Sequence, residues 1–383
     1  MKAISMNQKL GFPLKSFLLA TFLSMALIGC SDGSKPKQST ADINAGKTIV
    51  DKECKGCHGL NGKGVAPGIP NLAGQHERYL LAALNEYKDG TRVHAALRSI
   101  ATSMNDTDRR NVAGYFASLP SIPATNTPLF SPYENGKKVA AACTSCHGEN
   151  GNSKTPGTPN LAGQQPRYFY DATQEYMAGL RQAAPMNALL HRLNRLNIES
   201  VALYYASQQP AQRSAPAVGD PKKGEPLTAA CGGCHGEGGV STDAATPSLA
   251  SQDPQYLTAA IKAYRTTRRK NDTMSRMVAN LTDQEIDDIV AYYATRKGKP
   301  AEDGQALVKD ITTKCNRCHA NDIYNPALAI PSINGQDKDY LILALRAYRD
   351  GKRVNSLMHN MSIPYSDAII ESLASYYANQ PAK

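Results

Sequence analysis

Cys231-Gly232-Gly233-Cys234-His235 is one of four copies of a single pattern in this chain. The others are Cys54-Lys55-Gly56-Cys57-His58, Cys143-Thr144-Ser145-Cys146-His147 and Cys315-Asn316-Arg317-Cys318-His319. C-x-x-C-H is the attachment pattern of c-type haem. Its two thiols add across the two vinyl groups of the porphyrin, and two intervening residues let both sulfurs reach one macrocycle edge. The adjacent histidine then supplies the proximal imidazole to iron. Paired zinc sites and a disulfide framework are the competing uses of such cysteines. Four copies, consuming eight of nine cysteines, favour covalent haem. The expected cofactor set is therefore four covalently bound haem c groups, with iron held by His58, His147, His235 and His319.

The motifs also set the domain count within the 383 residues. Four units leave about 80 residues each, a size at which an apolar core alone is marginal. A covalently held porphyrin would supply much of the missing core. The N-terminus stands apart. Lys2, Lys9 and Lys15 form a basic region, and Phe17 to Ile28 is an apolar run too short to span a bilayer comfortably. It reads as a signal peptide over 1–29. Leu27-Ile28-Gly29-Cys30 resembles a bacterial lipobox, which makes Cys30, the cysteine outside the haem motifs, the expected lipidation site. Ser31 rather than Asp after it points to the outer membrane. Attachment of this kind of haem happens outside the cytoplasm, so both signals agree on a lipid-anchored location on the periplasmic side. Residues 30–42 read as a tether.

The formal charge of +10 falls to +7 once the three leader lysines are removed, and eight haem propionates would roughly cancel that. No nucleic-acid footprint is read from it. Arg268-Arg269-Lys270 is the longest basic run and reads as a solvated helix end.

Counted from each motif histidine, further landmarks recur. Proline lies 12 residues on (Pro70, Pro159, Pro247, Pro331), and tyrosine 21 on (Tyr79, Tyr168, Tyr256, Tyr340). An aromatic pair begins 57 on: Tyr115-Phe116, Tyr204-Tyr205, Tyr292-Tyr293 and Tyr376-Tyr377. This is an internal repeat. The tyrosines open helices with one apolar face, as in Tyr256, Leu257, Ala260, Ile261 and Tyr264. Thr282-Asp283-Gln284-Glu285 reads as a capping box ahead of a buried stripe of Ile286, Ile289, Val290 and Tyr293. A short helix before each motif carries a glycine (Gly46, Gly136, Gly224, Gly304) where close approach to the terminal helix is expected. The reading is all-α: four tandem domains at 43–120, 132–209, 220–296 and 303–381, each three to five short helices around a covalent haem, with no strand signal. The joints at 121–131 and 210–219 read as flexible linkers. The shorter third joint, Lys297 to Asp303, predicts tight packing of units three and four.

These units resemble class I cytochrome c domains, and most closely the two-domain cytochrome c4 family, as if two such proteins were fused. The residues that carry the likeness are C-x-x-C-H-G in three repeats (Ala320 replaces the glycine in the fourth), Pro-Asn-Leu-Ala-Gly-Gln at 70–75 and 159–164, and the terminal Tyr-Tyr. The resemblance implies paired haems that pass electrons to oxidases or reductases. It also implies that the proline at 12 residues presents a carbonyl to the proximal histidine's ring N–H, fixing its tautomer.

Electron-transfer haem iron has both axial positions filled, and a Met/His pair raises its potential. Thirty-nine residues after His147, His235 and His319 stand Met186, Met274 and Met358, the position of the axial methionine in the c4-like pattern. Met277 and Met361 lie three residues later. Leu189 in that register favours core packing for both, and Met177 reads as helix packing. In the first repeat this register holds Leu97, which cannot ligate iron. His94, three residues earlier, is the leading sixth-ligand candidate through a loop adjustment; Met104 in a core register and an open site are the alternatives. His76 reads as exposed, and His191 and His359 as ordinary histidines.

Two functions follow. The first is an electron carrier without substrate chemistry, which exchanges electrons with membrane-bound quinol-oxidising enzymes, oxidases, reductases or other cytochromes. The second is a haem enzyme, peroxidase- or reductase-like, in which an open or His-lined first haem is fed by the other three and His94 serves as a distal acid/base.

Overall fold

The computed structural model describes residues 40–301, 306–320, 328–353 and 356–382. The expected leader, Cys30, the tether up to residue 39 and Gly304 lie outside the described residues. Among the described residues the elements are helices, and a single isolated bridge joins Arg92 to Arg353. No described helix is long and apolar enough to cross a membrane.

Each repeat starts with a leading helix: Ile43–Glu53, Pro132–Ala140 and Pro221–Leu227 in the first three. In the fourth, the leading helix and the motif run together as Ala306–His319. Sequence chemistry explains the starts. The Asp42 carboxylate accepts from the Asn44 and Ala45 N–H groups, Ser131 caps a helix with proline in its first turn, and Asp220 does the same before Pro221. A middle helix follows the motif: Glu77–Asp89, Pro166–Met177, Pro254–Arg265 and Lys338–Arg349. Next comes a short helix: Ala95–Ser103, Ala184–Leu190, Asp272–Val278 and Ser356–Ser362. A terminal helix ends each unit: Asp106–Ser118, Arg195–Ala206, Asp283–Thr295 and Asp367–Ala378.

The terminal helices are the best buried elements. Thr282 and Glu285 form the expected capping box, and Asn105 with Asp108 forms another. Ile286, Ile289, Val290 and Tyr293 are all buried. At about 1.5–3 kcal/mol for each large apolar side chain fully removed from water, that stripe anchors its unit. The leading helix crosses the terminal helix at the expected glycine. A Cβ on Gly46 would lie 2.2 Å from the Asn111 carbonyl oxygen, on Gly136 2.1 Å from that of Ser200, and on Gly224 2.0 Å from that of Asp288. Only glycine permits that approach.

The association of the units departs from a head-to-tail fusion of two c4-like proteins. Unit one pairs with unit four, and unit two with unit three. In the first pair Gln75 Nε2 donates to the Ser332 carbonyl (2.8 Å) while its Oε1 accepts from the Ser332 N–H (2.8 Å). Gln336 makes the reciprocal pair of bonds to Asn71, at 2.9 and 2.6 Å. The second pair repeats this two-fold pattern: Gln164 brackets Ser248 (3.1 and 2.9 Å), and Gln252 brackets Asn160 (2.9 and 2.6 Å). The pairs meet through units two and four. The Ala368 N–H donates to Glu199 at 3.0 Å, and Leu203 shares a buried cluster with Ile311, Ile369 and Leu373. Units one to four are thus connected in the order one, four, two, three, and the short third joint does not make a pair of units three and four.

The joints are tied down rather than flexible. In the first, the Thr125 N–H donates to the Ala378 carbonyl (3.2 Å) and the Phe130 N–H to Ser375 Oγ (3.0 Å), so it lies along the terminal helix of unit four. In the second, Arg213 donates to the Ser251 and Ser153 carbonyls at 3.2 and 2.7 Å.

Candidate haem sites

In every repeat the motif histidine is the last residue of a helix, and its Nδ1 lies within hydrogen-bond distance of the proline carbonyl 12 residues on. The distances are 3.1 Å (His58 to Pro70), 2.9 Å (His147 to Pro159), 2.8 Å (His235 to Pro247) and 2.9 Å (His319 to Pro331). A carbonyl oxygen only accepts, so Nδ1 carries the proton and Nε2 keeps a lone pair. That is the tautomer an iron ligand needs. Burial pushes all four imidazoles below their ordinary pKa and outweighs the proline carbonyl, which favours the charged form.

The eight motif thiols form no disulfide, and Cys57, Cys146 and Cys234 are exposed. Burial pushes the leading thiols up, Cys54 to about 11. Two neutral thiols and an imidazole lone pair fit one porphyrin edge and its iron. A buried cation fits the propionates: Arg92 Nη1 is enclosed without an acceptor. Arginine recurs 34 residues after each motif histidine, as Arg92, Arg181, Arg269 and Arg353. Sequence reasoning missed this landmark, although counting in the same register finds it, and Arg269 is half-buried rather than solvated.

These arginines meet the tyrosines of the second landmark at the interfaces between units. Arg92 donates to the Tyr340 hydroxyl (2.9 Å) and Arg353 to that of Tyr79 (3.0 Å), each reaching across the pair. Arg181 and Arg269 donate to Tyr168 (3.2 Å) and Tyr256 (3.3 Å) within their own units. The effect on the phenols is unequal. Burial acts to raise Tyr79, yet the Arg92 and Arg353 guanidiniums bring it down to about 8, while burial and the neighbouring Tyr79 hold Tyr340 up. Tyr256 is lowered and Tyr168 raised in the same way.

Met186, Met274 and Met358 are half-buried on the short helices. The residue after each methionine ties its helix to the middle helix. Asn187 Nδ2 donates to the Tyr176 carbonyl (2.6 Å), Ser275 Oγ to that of Tyr264 (3.2 Å) and His359 Nδ1 to that of Tyr348 (2.6 Å). His359 therefore has an anchoring role. Met361 is half-buried, but Met277 is 46% exposed rather than packed in the core. Met177 is half-buried and His191 exposed.

The first repeat differs in five residues. Leu97 stands half-buried in the methionine register. His94 caps the short helix, its Nδ1 accepting from the Leu97 N–H at 3.3 Å. Its backbone (φ −164°, ψ 109°) matches Asn271 (−158°, 108°) and Ala183 (−157°, 104°), so the loop carries no adjustment around it. Met104 is 6% exposed in the core with Leu80, Val112 and Phe116. Arg109, also missed in the sequence, is fully buried where the other repeats have Ile198, Ile286 and Ile370. It donates to Asn85 (2.7 Å), to the Ala101 carbonyl (3.2 Å) and to the Met104 carbonyl. His76, expected to be exposed, is half-buried at the interface, with Nδ1 2.7 Å from the Ile330 carbonyl of unit four.

The cytochrome c family profile matches residues 43–120, 133–197 and 221–297. The chain belongs to the cytochrome c family. As a cytochrome c it is expected to carry covalently bound haem, and its units are c4-like. It is 30% identical to cytochrome c4 of Pseudomonas aeruginosa over 50% of this chain and 98% of that protein. Identity to cytochrome c4 of Azotobacter vinelandii is 33%, over 49% of this chain and 96% of that protein. The thiosulfate dehydrogenase electron acceptor of Thiomonas intermedia is 29% identical, over 44% of this chain and 84% of that protein. This is a multi-domain c-type cytochrome of the electron-transfer type.

Proposed function

We propose that the chain is a tetrahaem electron carrier without substrate chemistry in units two to four. Its domains are 43–120, 132–209, 220–296 and 303–381, and each motif holds one haem: Cys54 and Cys57, Cys143 and Cys146, Cys231 and Cys234, Cys315 and Cys318. His58, His147, His235 and His319 are the proximal ligands, and Met186, Met274 and Met358 complete three sites. The observation that carries this reading is the proline carbonyl on Nδ1 of all four motif histidines, at 2.8 to 3.1 Å.

Haem c supplies reversible one-electron redox chemistry when bound. The protein's own residues do the rest. The proline carbonyls hold each imidazole in the ligating tautomer and raise its basicity. The anchors at Asn187, Ser275 and His359 fix the helices that bear the methionines.

The partners are redox proteins: quinol-oxidising enzymes, oxidases, reductases or other cytochromes. A relative named as a thiosulfate dehydrogenase electron acceptor adds a thiosulfate dehydrogenase to the proposed donors. The lipobox-like Leu27-Ile28-Gly29-Cys30 supports a signal peptide over 1–29 and lipidation of Cys30, with the protein on the periplasmic face of the outer membrane. Mixing the reduced protein with a ferric c-type cytochrome of higher potential in a stopped-flow instrument tests the carrier role. The expected result is second-order oxidation of this chain matched by reduction of the partner. No exchange at any partner concentration would refute it.

A further inference from the structure

Residues 43–120 contain three histidines and one methionine: His58, His76, His94 and Met104. Three are committed elsewhere. His58 is the motif histidine, and His76 is bonded through Nδ1 to the Ile330 carbonyl of unit four. Met104 is buried in the core, with its carbonyl gripped by Arg109. The methionine register itself holds Leu97, whose side chain donates no electron pair. His94 remains, and its hydrogen bond fixes its chemistry. The Leu97 N–H can only donate, so His94 Nδ1 must be the unprotonated nitrogen of the neutral ring. Nε2 then carries the hydrogen and has no lone pair for a metal. The motif histidines show the opposite arrangement, with Nδ1 donating to a carbonyl.

His94 also lies near the right place. Its ring accepts from the backbone N–H of Leu97, the residue in the methionine register. The Tyr87 ring packs against it edge-on, with centroids 6.2 Å apart at 78°. In unit three Asn271 fills the same cap with its side-chain oxygen, leaving the adjoining helix to present Met274.

We propose that unit one forms an open haem site that binds a small exogenous ligand, with His94 Nε2–H donating a hydrogen bond to it. The ligand class is a small anion or diatomic molecule with one electron pair for iron and a second atom that accepts a proton-bearing donor. Cyanide is the probe. The proposal rests on haem being attached at Cys54 and Cys57, and mass spectrometry of the haem-bearing peptides checks that separately: an unmodified 54–58 peptide overturns the haem assignment itself.

With haem confirmed there, the ferric holoprotein is mixed with cyanide and followed optically, as wild type, His94→Ala and Leu97→Met. Wild type is expected to show one fast binding phase worth one haem in four. His94→Ala should keep that phase and release cyanide roughly tenfold faster, the value of one lost hydrogen bond of about 1.4 kcal/mol. Leu97→Met should abolish it by supplying the missing sulfur. No fast phase in wild type together with one in His94→Ala would overturn the proposal and make His94 the ligand. Equal release rates in wild type and His94→Ala would remove the hydrogen bond from it.

Discussion

A carbonyl or an N–H placed beside one ring nitrogen decides what the other nitrogen can do, and that distinction divides the histidines of this protein. The motif histidines are neutral because burial outweighs the proline carbonyl. Their folded pKa values lie below the value of about 6.5 that an unfolded histidine shows, so below that pH the unfolded chain binds more protons than the folded one. Stability is then fully present above about pH 6.5 and lost as pH falls, by up to about 1.4 kcal/mol per unit for each histidine. The guanidinium midpoint measured from about pH 7.5 down to about pH 5.5 should fall; a flat midpoint would show that these rings are not held neutral. The motifs and the proline and methionine registers were legible because each is a fixed count along the chain. Arg92, Arg181, Arg269 and Arg353 obey the same kind of count, yet they were missed because a charged side chain in a polar stretch reads as solvent-facing until its partner tyrosine is seen. His76 was misplaced for the same reason, since its acceptor is more than two hundred residues away.

Helix boundaries followed closely from local chemistry. Capping residues, the apolar stripe of Asp283–Thr295 and the crossing glycines Gly46, Gly136 and Gly224 appear where the periodicity puts them. The glycine crossing is the most exposed to test. In Gly224→Ala the new Cβ would fall 2.0 Å from the Asp288 carbonyl oxygen, and backbone cannot swing aside as a side-chain tip would. A loss of about 1–3 kcal/mol is expected, read as a lowered melting temperature. Gly232→Ala is the control, because a Cβ there meets nothing within 4 Å. Equal melting temperatures for the two variants would mean that the leading and terminal helices do not cross so closely. Arg109 shows where pattern reading stops: three repeats place isoleucine in that buried register, so a cation there carries no periodic signature.

At the scale of the whole molecule the sequence is least informative, because the pairing of units is written in Gln and Asn side chains that bond to distant backbone. Gln75, Gln164, Gln252 and Gln336 occupy one register, and nothing in their spacing says that unit one meets unit four. Gln336→Leu leaves the Asn71 N–H and carbonyl without partners at that interface. After cleavage at a protease site built into joint 121–131, unit one should stay bound to the rest of the wild-type protein and separate from the Gln336→Leu protein on size exclusion. Retention in both would show that the other contacts between units one and four, such as Gln75 with Ser332 and Arg92 with Tyr340, hold the pair without Gln336. The carrier reading itself depends on four working haems in one chain. Coulometric titration of the purified holoprotein, followed in the haem absorption bands, counts electrons per chain. Four reversible one-electron equivalents are predicted, whereas fewer than four, or uptake that cannot be reversed, would contradict a tetrahaem electron carrier.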